Sequence, residues 1–598
     1  MEKLLNRSEI DDKYKWNLKA MFADEQELDK TIEEGKRLVD TVLKYKGKIM
    51  NDSQTLYNFY QDYEKMERVL EKVLVYSSLN YDADTSDNKA STLKLKIEKL
   101  CDEVNQKLSF ISSEMLSVDF SQVLEYIEQN EKLKPYQFDL KQLFKYKEHT
   151  LSEKEEELIT KAGTAMGYCS DVFHALNDTD IDLGYVNVDG KKQELTNSNY
   201  NVFMRNKNRK IRKEAFEKLY NYYQKHINTL AANLRGNVKE DLFISDVRNF
   251  KNPLEQSLYN DDIDTSVYKN LIKTVHNNLD KMYRYLELKR QQLNLDELHM
   301  YDIYVNLSKE NNKKIEFEEA KQLLFKALEP LGKDYLNDLN QAFEQKWIDI
   351  YPNKGKRSGA YSGGCYDSYP YLLLNFENDI NSVSTLVHEL GHSMHSYYSN
   401  KTQPYTYQGY SIFLAEIAST VNEMLLNNYL YEHAKTKDEK IFYLNEFLDD
   451  VRATIIRQTM FAEFEMLIFD KEQQGVPLTV DEINNTYYEL NKLYFGPNVI
   501  SDEQIKYEWA RIPHFYTPFY VYKYATGLSS ALAIVTDLLN NKEDTKEKYL
   551  EFLSSGCSDY PLEILKKVGV DMTTTEPIQK AFDMFEEKLN ELEKLLNN

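Results

Sequence analysis

The stretch Leu386–His395 reads LVHELGHSMH and contains H-E-x-x-H as His388, Glu389 and His392. On a helix, residues four apart stand about one turn apart on the same face. His388 and His392 can therefore turn two imidazoles toward one metal ion. Glu389 lies one step round from His388, close enough to reach a water held there. Zinc suits this set, because it accepts imidazole nitrogens and keeps a position open for water. The expectation is a zinc peptidase whose site is carried on a helix.

A third protein ligand must come from nearby, and three residues qualify. His395 shares the face of the pair, but a further turn of helix carries it away, so a packed or hydrogen-bonded histidine is expected. Asp379 precedes the motif and suits a helix cap. Glu416, 24 residues after His392 in IFLAEIASTVNE, is the best choice. Its neighbours Ile412, Leu414, Ile417 and Val421 should be buried, and a carboxylate among them needs a compensating cation. Gly391, without a side chain, should let another element approach the metal helix closely.

Upstream, Gly355–Phe376 reads GKRSGAYSGGCYDSYPYLLLNF and carries neither GxxxxGK[ST] nor GxGxxG, which excludes a nucleotide loop. Tyr371–Phe376 is expected to form a short strand before the metal helix. It either pairs with an extended peptide substrate or only fills the core.

Farther out, Glu25–Leu43 and Leu56–Leu79 repeat apolar residues three and four apart between charges, and Leu93–Leu108 and Val123–Leu133 continue the pattern. This is the signature of amphipathic helices. Asp189-Gly190, after Tyr185, Val186 and Val188, predicts a β-hairpin and marks the best boundary. The expected division is an N-terminal helical lobe over 1–200 and a catalytic domain over 201–598. The basic run Met204–Phe216 is expected to be a solvated helix start. Helices follow to the end of the chain, the last over Pro577–Leu596.

A formal net charge of −23 over 598 residues argues against nucleic acid or an anionic membrane as partner. The four cysteines show no CxxC spacing, the first residues carry no apolar h-region, and no run approaches a membrane span. Cytoplasm is the expected location; the oligomeric state is left open.

HELGHSMH at His388–His395, FLAEIASTVNE at Phe413–Glu423 and RIPHFYTPFYVYKYATG at Arg511–Gly527 together resemble the oligoendopeptidase F group of thimet oligopeptidase-like zinc metallopeptidases. QKWIDIYPNKGKRSGAYSGG at Gln345–Gly364 and DGKKQELTNSNY at Asp189–Tyr200 extend the likeness over most of the chain. The resemblance implies a mainly α, two-lobed body with a deep central cleft and a small β element beside the metal helix. It implies one zinc ion on His388, His392 and Glu416, with Glu389 as general base. Where related zincins carry an acid bracing a zinc histidine, this chain has Thr420, leaving Ser419 or Glu423 to serve. His514 and the tyrosines after it would supply donors to the oxyanion, with Tyr522 first and Tyr516 second among Tyr516, Tyr520, Tyr522 and Tyr524.

The function expected is hydrolysis of internal bonds in short unfolded peptides. A zinc carboxypeptidase of similar helical fold and a metal-free peptide-binding module are the alternatives.

Overall fold

Aspartates and asparagines just ahead of apolar-periodic runs start many of the helices. In the computed structural model, which describes residues 4–163, 166–308 and 314–597, Asp24 accepts from Glu27 N at 2.9 Å and Asp52 from Thr55 N at 2.8 Å. Each satisfies a donor that the first helical turn leaves unpaired. In chain order come α1 (Glu25–Val42), α2 (Ser53–Ala83), α3 (Asn88–Leu108), β1 (Tyr185–Val188), β2 (Lys191–Glu194) and α4 (Arg209–Val247). Then follow β3 (Ile348–Asp349), β4 (Tyr361–Gly363), β5 (Tyr371–Leu373), α5 (Ile380–Thr402) and α6 (Ile412–Glu432). The elements α7 (Arg457–Gln473), α8 (Tyr522–Leu539) and α9 (Glu576–Asn597) complete those that bear on function. The protein is mainly α, as the periodicity predicts, and α9 matches the expected last helix.

The contacts divide the chain into two units, each assembled from three segments. One contains Met1–Glu148, Asn312–Leu426 and Ile534–Gly569; the other contains His149–Asn311, Asn427–Ala533 and Val570–Asn598. Among the described residues no helix is long and apolar enough to cross a membrane.

In the first unit, α1 to α3 bury their apolar stripes in two clusters. One of these joins Trp16, Phe22, Ile32, Val73 and Ile97 to Tyr371 and Leu373 of β5, so the N-terminal helices back the small sheet. Each fully buried large apolar side chain contributes roughly 1.5–3 kcal/mol. The sheet has strand order β3-β5-β4. β5 runs parallel to β3, pairing Leu372 with Ile348, and antiparallel to β4, pairing Leu373 with Tyr361. The strand expected over Tyr371–Phe376 therefore has both edges occupied and all three residues buried. It cannot accept a peptide, because its backbone groups are already paired; within this sheet β3 and β4 are the two edge strands.

In the second unit, Val188 of β1 pairs with Lys191 of β2 across Asp189-Gly190. Both turn residues have positive φ, 50° and 83°, as the tight hairpin turn requires. The basic run starts a helix at Arg209 and leaves Arg205, Lys207, Lys210 and Lys213 exposed, as expected, but Arg209 and Arg212 turn inward. Arg212 is 2% exposed, and it and Arg209 both bind the fully buried Asp302, at 2.6 and 2.8 Å. A buried carboxylate needs paired donors, and these two guanidinium groups supply them.

Candidate metal centre

The helix α5 places its residues by simple periodicity. Val383, Leu386, Val387, Leu390 and Met394 are fully buried, while His388 and His392 stand on the partly open side. Asp379 caps the helix, accepting from Ser382 N at 2.7 Å. The approach of α6 is set by Gly391. A Cβ there would meet Ser419 Cα at 2.5 Å and Ala418 O at 2.7 Å, so the two backbones touch where only glycine fits. Asn422, fully buried on α6, donates to Val387 O of α5 at 3.3 Å and fixes the register.

That crossing brings three donor atoms together. His388 Nε2 and His392 Nε2 lie 3.2 Å apart, and Glu416 Oε2 is 3.5 Å from each. Among the described residues, His388, His392 and Glu416 form the group of His, Cys, Asp or Glu side chains able to share an ion. A tetrahedral zinc ion with bonds of about 2.0–2.1 Å sets its ligands about 3.3 Å apart, so the triangle fits. Two neutral imidazoles and a carboxylate also match the donors zinc prefers.

The field at the site is negative. Burial opposes an imidazolium at His388, but Glu423, Glu389 and Glu416 outweigh it and push the group up to about 9. Glu416 is held below the ordinary glutamate value, chiefly by its contact with His392. A divalent cation answers this charge. The reason expected for Glu416 does not hold, however. Leu414, Ile417 and Val421 are buried, but Ile412 is 56% exposed at the helix start, and 41% of the Glu416 side chain is open. Proximity to the two imidazoles distinguishes Glu416, whereas burial does not.

Of the two candidates to replace the missing acid at Thr420, only Glu423 reaches a histidine of the triangle. Glu423 Oε1 lies 3.3 Å from His388 Nδ1, the ring nitrogen turned away from the triangle. Ser419 Oγ touches Glu416 instead, lying 2.9 Å from its backbone O and 3.2 Å from its Oε2, with one hydroxyl proton between them. Glu416, Ser419 and Glu423 recur at helical spacing along one side of α6, so one face supplies a donor atom and both supports.

Glu389 is 8% exposed. Burial raises its carboxyl above the ordinary glutamate value, with the two imidazoles and the Ser362 backbone acting in the opposite direction. Ser362 belongs to β4, and its hydroxyl is 2.8 Å from Ser393 Oγ of α5. No local spacing in the sequence marks Ser362, because the sheet brings it there. His395 is fully buried, its ring stacked on Tyr410 at 3.7 Å and 6°. Among the described residues its nitrogens have no hydrogen-bond partner, and burial lowers it to about 3. It is a packed aromatic ring outside the donor group.

The aromatic segment belongs to the second unit. His514 Nε2 is 3.1 Å from Tyr524 OH, and its ring lies 5.9 Å from that of Tyr520, nearly parallel. Burial, then the Arg457 charge, lower the imidazole below the ordinary histidine value. Tyr516 OH accepts from Asn233 Nδ2 at 3.1 Å. Tyr522, first in the expected order, has no exposed surface and packs against Tyr268. Its place at the first turn of α8 points it into the core, which argues against a phenol that meets substrate. Tyr520 and Tyr524, both partly open, flank the imidazole instead.

The model of peptidase family M3 matches residues 202–584, and that of oligopeptidase F matches residues 114–182. The chain is 41% identical over 594 residues to oligopeptidase PepF of Bacillus subtilis, covering 99% of this chain and 89% of that protein. A crystal structure from Chlamydophila abortus superposes with a TM-score of 0.92 at 36% identity, covering 99% of this chain and 100% of the other. That of oligoendopeptidase-F from Enterococcus faecium superposes with a TM-score of 0.73 at 33% identity, covering 96% and 99%. With near-complete coverage on both sides and the donor triangle in place, the chain belongs to peptidase family M3, as a peptidase of its oligoendopeptidase F group.

Proposed function

We propose that the protein is a zinc-dependent endopeptidase that hydrolyses internal bonds of short unfolded peptides. The observation that carries this is the triangle of His388 Nε2, His392 Nε2 and Glu416 Oε2 beside the buried carboxylate of Glu389. One zinc ion held there would supply Lewis acidity to the scissile carbonyl and lower the pKa of an attacking water. Glu389 takes the proton from that water at its carboxylate and passes it to the leaving nitrogen. Its raised pKa brings it nearer the working pH, where a base both accepts and returns a proton well. Glu423 holds His388 from behind, and Ser419 orients Glu416.

His514, whose neutral form burial and the Arg457 charge favour, is with Tyr524 and Tyr520 the donor set for charge developing on the carbonyl oxygen. Tyr516 acts as a further contact to substrate. The free edge of β4 pairs with the extended peptide by backbone hydrogen bonds. One family match ends at residue 182 and the other begins at residue 202, on either side of the β1–β2 hairpin, which supports a sequence boundary there between a helical lobe over 1–200 and a catalytic domain over 201–598. Four free cysteines support a reducing, cytoplasmic setting, and the net charge of −23 favours short peptides over nucleic acid or an anionic membrane as partners.

The test is metal content together with products from peptides blocked at both ends. One zinc per chain, chelator-sensitive cleavage and internal cuts are expected. Cleavage only of peptides with a free C-terminus would make it a carboxypeptidase; no metal and no cleavage would leave a binding module.

A further inference from the structure

His514 and Tyr524 lie on either side of one loop. His514 is in the turn Pro513–Tyr516, and Tyr524 is on the first turn of α8. Their 3.1 Å separation therefore depends on how Thr517–Val521 is folded. At its centre Phe519 has φ 55°, a left-handed conformation that a residue with a Cβ rarely adopts. Such a conformation persists only where the surroundings over-determine it. Phe519 is 1% exposed, its ring packed against Phe469 at 5.0 Å and Tyr268 at 5.8 Å. Next to it, Pro518 O accepts from Ser257 Oγ at 3.2 Å.

The remaining hold is a carboxyl group. Glu465 of α7, 3% exposed, accepts from Phe519 N at 3.1 Å through Oε1, and its Oε2 has no hydrogen-bond partner among the described residues. It forms no ion pair among the described residues. Burial keeps its carboxyl well above the ordinary range, so it is neutral. An acid at such a place costs stability through its own desolvation, whereas a leucine of similar size would spare that cost but leave Phe519 N–H unpaired. What it provides in return is the acceptor for a backbone N–H that the left-handed turn takes out of any ladder. We infer that Glu465 is a positioning residue for peptide hydrolysis, holding the Thr517–Val521 turn through Phe519 N–H so that His514 and Tyr524 stay paired. This rests on the reading of His514 and Tyr524 as donors to the developing oxyanion.

The test uses the full-length, zinc-loaded protein and an internally quenched peptide blocked at both ends. Glu465→Gln keeps the acceptor oxygen, Glu465→Leu removes it, and His514→Ala reports on the underlying reading. His514→Ala is expected to lower kcat at least a hundredfold. Glu465→Leu is expected to lower kcat ten- to a hundredfold with KM within threefold and zinc content unchanged, because a misplaced donor is felt in the transition state. Glu465→Gln is expected within threefold of the parent. A folded Glu465→Leu with the parent kcat, beside an impaired His514→Ala, overturns the inference alone; so does Glu465→Gln as impaired as Glu465→Leu. A His514→Ala protein with the parent kcat overturns the donor reading and the inference with it. If Glu465→Leu does not fold, Glu465→Asp, one methylene too short to reach Phe519 N, replaces it. A kcat loss of at least fivefold at unchanged KM then supports the inference, and the parent kcat overturns it.

Discussion

Gly391→Ala should loosen the metal centre without touching a donor atom. The added Cβ would stand 2.5 Å from Ser419 Cα, 2.7 Å from Ala418 O and 2.8 Å from Ser419 N. Carbon atoms in contact sit about 3.5–4.0 Å apart, so α6 must recede by about 1 Å at that point. All three atoms are backbone, and no rotamer change absorbs the overlap. Glu416 lies one turn earlier on α6, so its Oε2 moves out from the present 3.5 Å, beyond the spacing of about 3.3 Å that zinc imposes. Two effects oppose each other in stability. Alanine in a helix interior is favoured over glycine by about 1 kcal/mol, whereas overpacking costs about 1–3 kcal/mol. The expected balance is a metal-free protein destabilised by about 1 kcal/mol, with zinc affinity reduced at least tenfold. Urea unfolding of the metal-free protein and zinc competition against a chromophoric chelator measure the two quantities. A variant that is more stable than the parent and binds zinc within twofold of it would show that the helices do not meet at Gly391.

Further outcomes follow from the same geometry. Glu389→Gln should keep its zinc and lose about 10²–10⁴ in kcat, as seen by metal analysis beside peptide cleavage; a variant cutting at the parent rate would remove the general base. Glu416→Ala should be purified without stoichiometric zinc, whereas Glu423→Gln should retain it with affinity weakened about 10–100-fold, as expected for a support behind a ligand; equal occupancy in the two would refute the division of roles. Burial raises Asp241 to about 7 from the ordinary 3.8. The folded state therefore keeps a proton that the unfolded state loses between about pH 4 and 7, and stability falls as pH rises through that window. Asp241→Asn, still able to accept from Asn237, should raise the melting temperature more at pH 8 than at pH 5; an equal shift at both would deny the raised pKa.

Local pattern accounts for much of what is seen. The i, i+4 spacing of His388 and His392 and the apolar stripe behind them define a helix with both imidazoles on one side. The Asp189-Gly190 pair defines a hairpin, and Asp379 a cap, because backbone conformation and capping depend on near neighbours. Spacing along α6 also narrows the supports to Ser419 and Glu423. It could not say that the first serves Glu416 and the second His388, since that depends on where α6 crosses α5.

Other features are invisible until the chain is folded. Tyr516, Tyr520, Tyr522 and Tyr524 are the same residue type within nine positions, and only the packing of α8 buries Tyr522 while leaving Tyr524 against His514. Arg212 reads as one more charge in a basic run until Asp302, 90 residues later, meets it. Tyr371–Leu373 reads as a strand, but which neighbours take its two edges is settled by Ile348 and Tyr361. The sequence by itself determined the helices, the turn, the two imidazoles and the family, all of which follow from local spacing or whole-chain likeness. Tertiary structure alone decided that Glu416 is set apart by proximity to both imidazoles, which partner each support takes and the exposure of each phenol, because these depend on distances between segments that no local spacing encodes.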